Sequence, residues 1–272
     1  MPLRGTPSLI FSVSPKIKTM PKEKTLTSDE LQQRAIRFFD RYGEELKQVA
    51  ELLRIKLTQL CHAYTLNHNL PPEAIKVTTR VKTLNSFLKK LKGDGWPQFY
   101  YPTEVVRDLI GARVVCWFVD DCYGILDFVK DSNHFRVASE KTHPLKDFIK
   151  APQLAGYRAI HVFANLDYDG VQRIDQKVVV KRQDILSEIQ IRSKLQDSWG
   201  DITHEFAYKA KHLGVEDAHL EQFLADVSDR FALEDRTLMK FRDTYQKMAD
   251  DKMREGIREG LRDEDDEDVA EG

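Results

Sequence analysis

Ser187-Glu188-Ile189-Gln190-Ile191-Arg192-Ser193 alternates a carboxylate, an amide and a guanidinium with two isoleucines. Side chains point to opposite faces along a strand, so Glu188, Gln190 and Arg192 share one face while Ile189 and Ile191 enter a core. Taken alone, the segment is either the wall of a site or an amphipathic strand with a solvated polar face. The rest of the chain has to decide between them.

Upstream, residues 157–165 and 175–181 read as strands beside 185–192, and Ala112 to Val119 and residues 75–82 as earlier ones. Helical stretches at 84–92 and 123–130 are interleaved with them. Thr27-Ser28-Asp29-Glu30 has capping-box form, and apolar residues then recur at helical spacing to about His68, where Pro71 and Pro72 stop the helix. Residues 194–212 and 216–258 read as two closing helices. This mixture predicts an α/β (α+β) fold, a mixed β-sheet flanked by helices.

A chain of 272 residues with 41% hydrophobic content can bury a sizeable core. The net charge of −2 hides an asymmetry, because residues 263–272 carry seven acidic side chains and no basic one. The remaining body is mildly basic, which fits a phosphate-bearing ligand but not a general DNA binder. The domain reading is a flexible arm over 1–26, a catalytic-size region with its leading helix over 27–212, a helical extension over 213–262 and a disordered acidic tail over 263–272. Met20 stands as a second candidate start. Three cysteines without a zinc-like pair point to a reducing compartment, and the absence of a long apolar run or a signal peptide points to the cytoplasm and away from membranes.

Several other residue sets carry chemistry. Arg80 and Lys82 share a strand face, and Ser86 and Lys90 lie one helical turn apart at the start of a helix, a grouping that suits a polyphosphate or an ordinary charged surface. Asp108 stands at the start of an apolar strand, where it is either a turn residue or an oxygen ligand for Mg²⁺. Arg113 lies inside that apolar run, where an unpaired guanidinium would be costly. Tyr157 and His161 share a strand face after Gly156, placed to stack a base or simply to pack. Trp199, His204, Tyr208 and Lys209 follow on a helix, and packing explains Trp199 equally well.

In order and spacing, Arg80-x-Lys82-x3-Ser86-x3-Lys90, Asp108-Leu109-Ile110-Gly111-Ala112-Arg113, Gly156-Tyr157-Arg158-Ala159-Ile160-His161, Glu188-Ile189-Gln190-Ile191-Arg192 and the Trp199 to Lys209 helix resemble the synthetase domain of the RelA/SpoT alarmone synthetases. The resemblance spans about residues 75–212. It implies a nucleotidyltransferase-like fold that transfers the β,γ-diphosphate of ATP to the ribose 3′-hydroxyl of GTP or GDP and releases AMP, with Mg²⁺. It also implies roles. Arg80 and Arg113 would sandwich adenine, and Lys82, Ser86 and Lys90 would hold the ATP phosphates. Asp108 would bind metal, and Glu188 would be a second metal ligand or the base. Tyr157 would stack on the acceptor base, with His161, Gln190 and Arg192 lining the acceptor side.

Family members often carry Pro-Lys ahead of the glycine-tyrosine motif, Asn before the glycine and Ser after the arginine, where this chain has Gln153, Ala155 and Ala159. Those departures keep open a toxin-like relative that modifies adenosine nucleotides or the 3′ end of tRNA. A non-catalytic nucleotide-sensing scaffold is a third reading. With no adjacent His-Asp pair, the chain resembles the small synthetase-only members, which implies a possible homo-oligomer.

Overall fold

The computed structural model describes residues 25–139, 141–213 and 218–270, with the side chains of 154, 172–174, 205–213, 218 and 256–270 excepted. Residues 1–24 of the expected arm therefore lie outside the described residues. Helix α1 spans Ser28–Asn67. Its capping box forms as the sequence predicts: Thr27 Oγ1 accepts from the Glu30 amide at 3.3 Å, and the Thr27 amide donates to Glu30 Oε2 at 2.8 Å. Leu31, Ala35, Phe38, Leu46, Val49, Leu53, Leu57 and Cys61 follow at helical spacing and form a buried stripe.

Strand β1 (Ile75–Val81) leads into α2 (Leu84–Gly93), β2 (Ile110–Cys116) and α3 (Val119–Asp131). The apolar run expected to stay in strand to Val119 is split, because Phe118 becomes the N-cap of α3. Two short strands unforeseen in the sequence follow, β3 (Phe135–Val137) and β4 (Lys146–Asp147). The three late strands expected from the sequence are two, β5 (Ile160–Ile174) and β6 (Lys177–Ser193), joined as a long hairpin. The polar Arg182-Gln183-Asp184 looks like a break, yet it pairs with Asp169, Tyr168 and Asp167. The reversal occurs instead at Asp175 and Gln176, both at positive φ.

Helices α4 (Lys194–Leu213) and α5 (Ala218–Ala270) close the chain. The α5 backbone is helical to Ala270, into the acidic run, where no proline interrupts it; residues 271–272 lie outside the described residues.

The sheet order is β1-β2-β6-β5-β3, with β4 pairing β5. Among the described residues β2 and β6 run parallel, and the other pairings are antiparallel. This is the expected mixed sheet. Ala112, Val114, Cys116, Ile189 and Ile191 face the core under α1 and α3, while their alternate neighbours face the opposite side. Among the described residues, no helix is long and apolar enough to cross a membrane.

Candidate active site

Register across the sheet assembles the site. In one row Arg80 pairs with Gly111, Gly111 with Glu188 and Glu188 with Phe163. In the next, Thr78 pairs with Arg113, Arg113 with Gln190 and Gln190 with His161. Gly111 leaves the floor low between Arg80 and Glu188: a Cβ there would meet Arg80 Nε at 3.9 Å, in ordinary contact. Arg80, Asp108, Gly111, Arg113, Glu188 and Gln190 line a single cleft.

On one flank of the cleft, Asp108 is clipped by two lysines. Lys82 Nζ donates to its Oδ2 at 2.6 Å and Lys90 Nζ to its Oδ1 at 3.0 Å. The Thr83 hydroxyl caps α2, which sets the Lys82-to-Lys90 corner. Burial alone would raise the Asp108 carboxyl, but the two ammonium groups outweigh it and hold the group below the usual aspartate range. Arg113 has the partners its position demands: its Nη1 lies 3.0 Å from Asp197 Oδ1 and 2.8 Å from Asp201 Oδ1.

The other flank is a closed ring of hydrogen bonds. Arg192 Nη2 donates to the Tyr157 hydroxyl at 3.1 Å and to Gln190 Oε1 at 2.8 Å. The Tyr157 hydroxyl lies 2.8 Å from His161 Nε2, and His161 Nδ1 lies 2.9 Å from Glu188 Oε1. Gln190 Nε2 donates to Glu188 Oε2 at 3.1 Å and closes the circuit. Because a carboxylate only accepts, Nδ1 of His161 donates to Glu188, and both oxygens of Glu188 are reached from Arg192, through Gln190 and through Tyr157 and His161.

Burial would raise the Glu188 carboxyl, but His161 and then Gln190 more than compensate and hold it below the usual glutamate range. Burial also pushes the Tyr157 hydroxyl up and the Arg192 guanidinium down. The Tyr157 ring is edged by Phe148 and His161, and the Arg192 guanidinium lies 5.3 Å from its centroid.

Ten of the eleven residues to which the resemblance gives roles come together around one cleft. Ser86 is the exception: it is exposed, and its hydroxyl accepts from Thr83 Oγ1 at 2.9 Å as part of the helix cap. His204 is exposed, and the side chains of Tyr208 and Lys209 lie outside the described residues. Trp199 is a packing residue, buried with its indole N–H on the Leu224 carbonyl at 3.1 Å. Asp197 and Asp201 escaped the sequence reading: they stand one helical turn apart just after Arg192, and nothing local ties them to Arg113.

The region found in RelA / SpoT proteins matches residues 79–213, which contain all of these groups. The chain belongs to the RelA/SpoT family. The GTP pyrophosphokinases YwaC and YjbM of Bacillus subtilis are 27% and 28% identical to it, over 60% and 63% of this chain and 71% and 74% of theirs. Small alarmone synthetase 1 of Bacillus subtilis, crystallised with its product pppGpp, superposes with a TM-score of 0.63 at 24% identity, covering 76% of this chain and 98% of that one. A GTP pyrophosphokinase family protein from Streptococcus pneumoniae gives 0.60 at 24% identity, over 77% and 95%. These structures share the fold of this RelA/SpoT chain.

Proposed function

We propose that the protein is a GTP diphosphokinase that moves the β,γ-diphosphate of ATP onto the ribose 3′-hydroxyl of GTP or GDP, releasing AMP. The observation that carries this reading is the pair Asp108 and Glu188 in one cleft, with Arg80 and Arg113 beside them, a lysine clip on one flank and an aromatic ring system on the other. The names of YwaC and YjbM support it, as does the product in the superposed small alarmone synthetase.

The donor half works by charge. Arg80 and Arg113 project from adjacent strands on the cleft side, spaced to flank a purine. Lys82 and Lys90 are within reach of phosphates beside Asp108, and as they turn to those oxygens they release the carboxylate. Among the described residues no group of three or more His, Cys, Asp or Glu is arranged to hold a metal alone. Two carboxylates on one cleft nevertheless fit Mg²⁺, which commonly takes one or two carboxylates together with substrate phosphates. When bound, Mg²⁺ would supply positive charge against the negative charge that grows during transfer. Asp108 and Glu188 would be its protein ligands.

The acceptor half works by placement. Glu188, fixed through both oxygens, is aimed to accept a hydrogen bond from the attacking hydroxyl, and the surrounding ring keeps it from turning away. Tyr157 offers the face for the acceptor base, with Arg192 and Gln190 beside it.

Two of the three departures from the family pattern have backbone or packing explanations, which removes their weight against the guanosine acceptor. Ala155 sits at φ 58°, a left-handed conformation that Asn adopts more readily than Ala, so the usual Asn has a backbone reason to be there. Ala159 is fully buried, out of reach of a ligand in this conformation. Only exposed Gln153 replaces a group that would face solvent.

Incubating the protein with Mg²⁺ and γ-labelled ATP, separately with GDP, GTP, ATP and deacylated tRNA, tests the reading. Label on GDP or GTP that vanishes in Glu188→Ala supports it. Label on tRNA or ATP alone gives the acceptor to the toxin-like relatives, and no label on any acceptor overturns transferase activity.

A further inference from the structure

Helix α5 begins at Ala218, beyond the matched family region that ends at residue 213. Its first turns nevertheless press on the loop that delivers Tyr157. Gly156 (φ 84°) approaches the helix so closely that a Cβ there would lie 2.6 Å from Ser228 Cβ and 2.8 Å from Ala225 Cα. The Ser228 hydroxyl, fully buried, donates to the Gly156 carbonyl. Gln196 of α4 holds the same serine, its amide nitrogen 3.3 Å from the Ser228 carbonyl and its Oε1 3.2 Å from the hydroxyl. One residue further along, Asp229 Oδ1 accepts from Arg158 Nη2 at 2.6 Å, while Arg158 Nη1 donates to the Ile149 carbonyl at 2.9 Å. Tyr157 therefore sits between two residues that α5 holds, Gly156 and Arg158.

The loop has reason to need such support. Ala155 and Gly156 are both in the left-handed region, which alanine disfavours, and their turn is closed by a 3.0 Å bond from the Gly156 amide to the Gln153 carbonyl and a 3.2 Å bond from the Gln153 amide to the Tyr157 carbonyl. Left to its own preferences the segment would relax to extended backbone and carry the Tyr157 hydroxyl away from His161 and Arg192.

We infer that Ser228 and Asp229 are positioning residues for the acceptor: α5 straps the 153–158 loop in place and thereby fixes Tyr157 in the ring around Glu188. This rests on the reading of Tyr157 as the acceptor-facing residue. The strap touches none of the residues assigned to ATP, so its loss should be felt on one substrate only.

The test compares Ser228→Ala, Asp229→Asn and the exchanged pair Arg158→Asp/Asp229→Arg with the wild-type full-length protein. Ser228→Ala leaves a buried carbonyl without its donor, and the expected result is about a tenfold rise in the KM for GDP or GTP with the KM for ATP unchanged. Asp229→Asn, whose site is more exposed, is expected to give about a two- to threefold rise in the same constant. The exchanged pair should recover part of it.

An equal rise in both KM values, or none in either variant, overturns the strap. Amide hydrogen exchange over residues 153–157 gives an answer that does not depend on the reaction. Faster exchange in Ser228→Ala supports the strap even if the wild type transfers nothing and the functional reading has failed; exchange at the wild-type rate overturns it.

Discussion

The two halves of the cleft are built on opposite principles. Around Asp108 the contacts are salt bridges from two lysines, Lys82 13% exposed and Lys90 40%, and Arg113 nearby, 35% exposed, is held by Asp197 and Asp201. Around Glu188 they are hydrogen bonds among side chains locked by packing, with Glu188 and His161 each 14% exposed and Arg192 4%. On the proposed reading, Lys90 on the Asp108 side is free enough to turn to phosphate, and the side chains around Glu188 are held in place. A transfer reaction benefits from both: compensation of growing charge where the diphosphate moves, and fixed geometry where the hydroxyl attacks.

The comparison breaks most directly at the two carboxylates. Asp108→Ala and Glu188→Ala should each lower turnover by about a thousandfold or more while circular dichroism and the unfolding midpoint stay near wild type. Turnover retained in a folded variant would sink the shared-metal reading. Next come the flanks. Lys90→Ala should raise the KM for ATP by about tenfold and leave that of the acceptor alone, and Tyr157→Phe, which cuts the ring at its hydroxyl, should do the reverse. Steady-state kinetics with each substrate varied in turn checks this; the same shift in both constants for both variants would mean that the halves are not separate.

A smaller effect belongs to Asp235 on α5, which is buried and accepts from Ser193 Oγ at 2.6 Å. Burial raises its carboxyl above the usual range, more than Ser193 and Gln196 lower it. With the folded value raised, the folded state holds the proton more tightly. This group's contribution to stability therefore falls as the pH rises through the window between the unfolded and folded values. Asp235→Asn keeps an acceptor for Ser193 and removes the buried charge. Relative to wild type it should unfold at an equal or slightly higher temperature at neutral pH, by about 1 kcal/mol or less, and lose that margin as the pH is lowered towards about 4. A margin that grows on acidification would reverse the sign assigned to this group.

The sequence disclosed the faces but not the neighbours. Alternation put Glu188, Gln190 and Arg192 on one side of β6, and the structure keeps them there. The strand pairing that brings Gly111 beside Glu188 is parallel and long-range, and nothing local in either segment encodes it. The same limit hid the partners of Arg113. Its need for a partner was visible in the apolar run around it, whereas Asp197 and Asp201 read as ordinary helix-surface acids. The hairpin was misread because Arg182-Gln183-Asp184 has the polarity of a turn. Ser86, offered as a phosphate ligand, lies in the α2 cap with its hydroxyl on Thr83, and a hydroxyl at a helix start serves a cap as readily as a phosphate. Ser228 carried no signal, being a small polar residue in the middle of a helix.

The central parallel pairing also bears on when the site comes into being. Strands β1 and β2 lie close in sequence, whereas β6 pairs with β2 across a long separation, and such pairing must overcome loop-closure entropy before its contacts are gained. On a ribosome Asp108 emerges far ahead of Glu188, and α5 follows both. A half-made chain thus holds one carboxylate without the other, and the cleft proposed for transfer is complete only once β6 is in place.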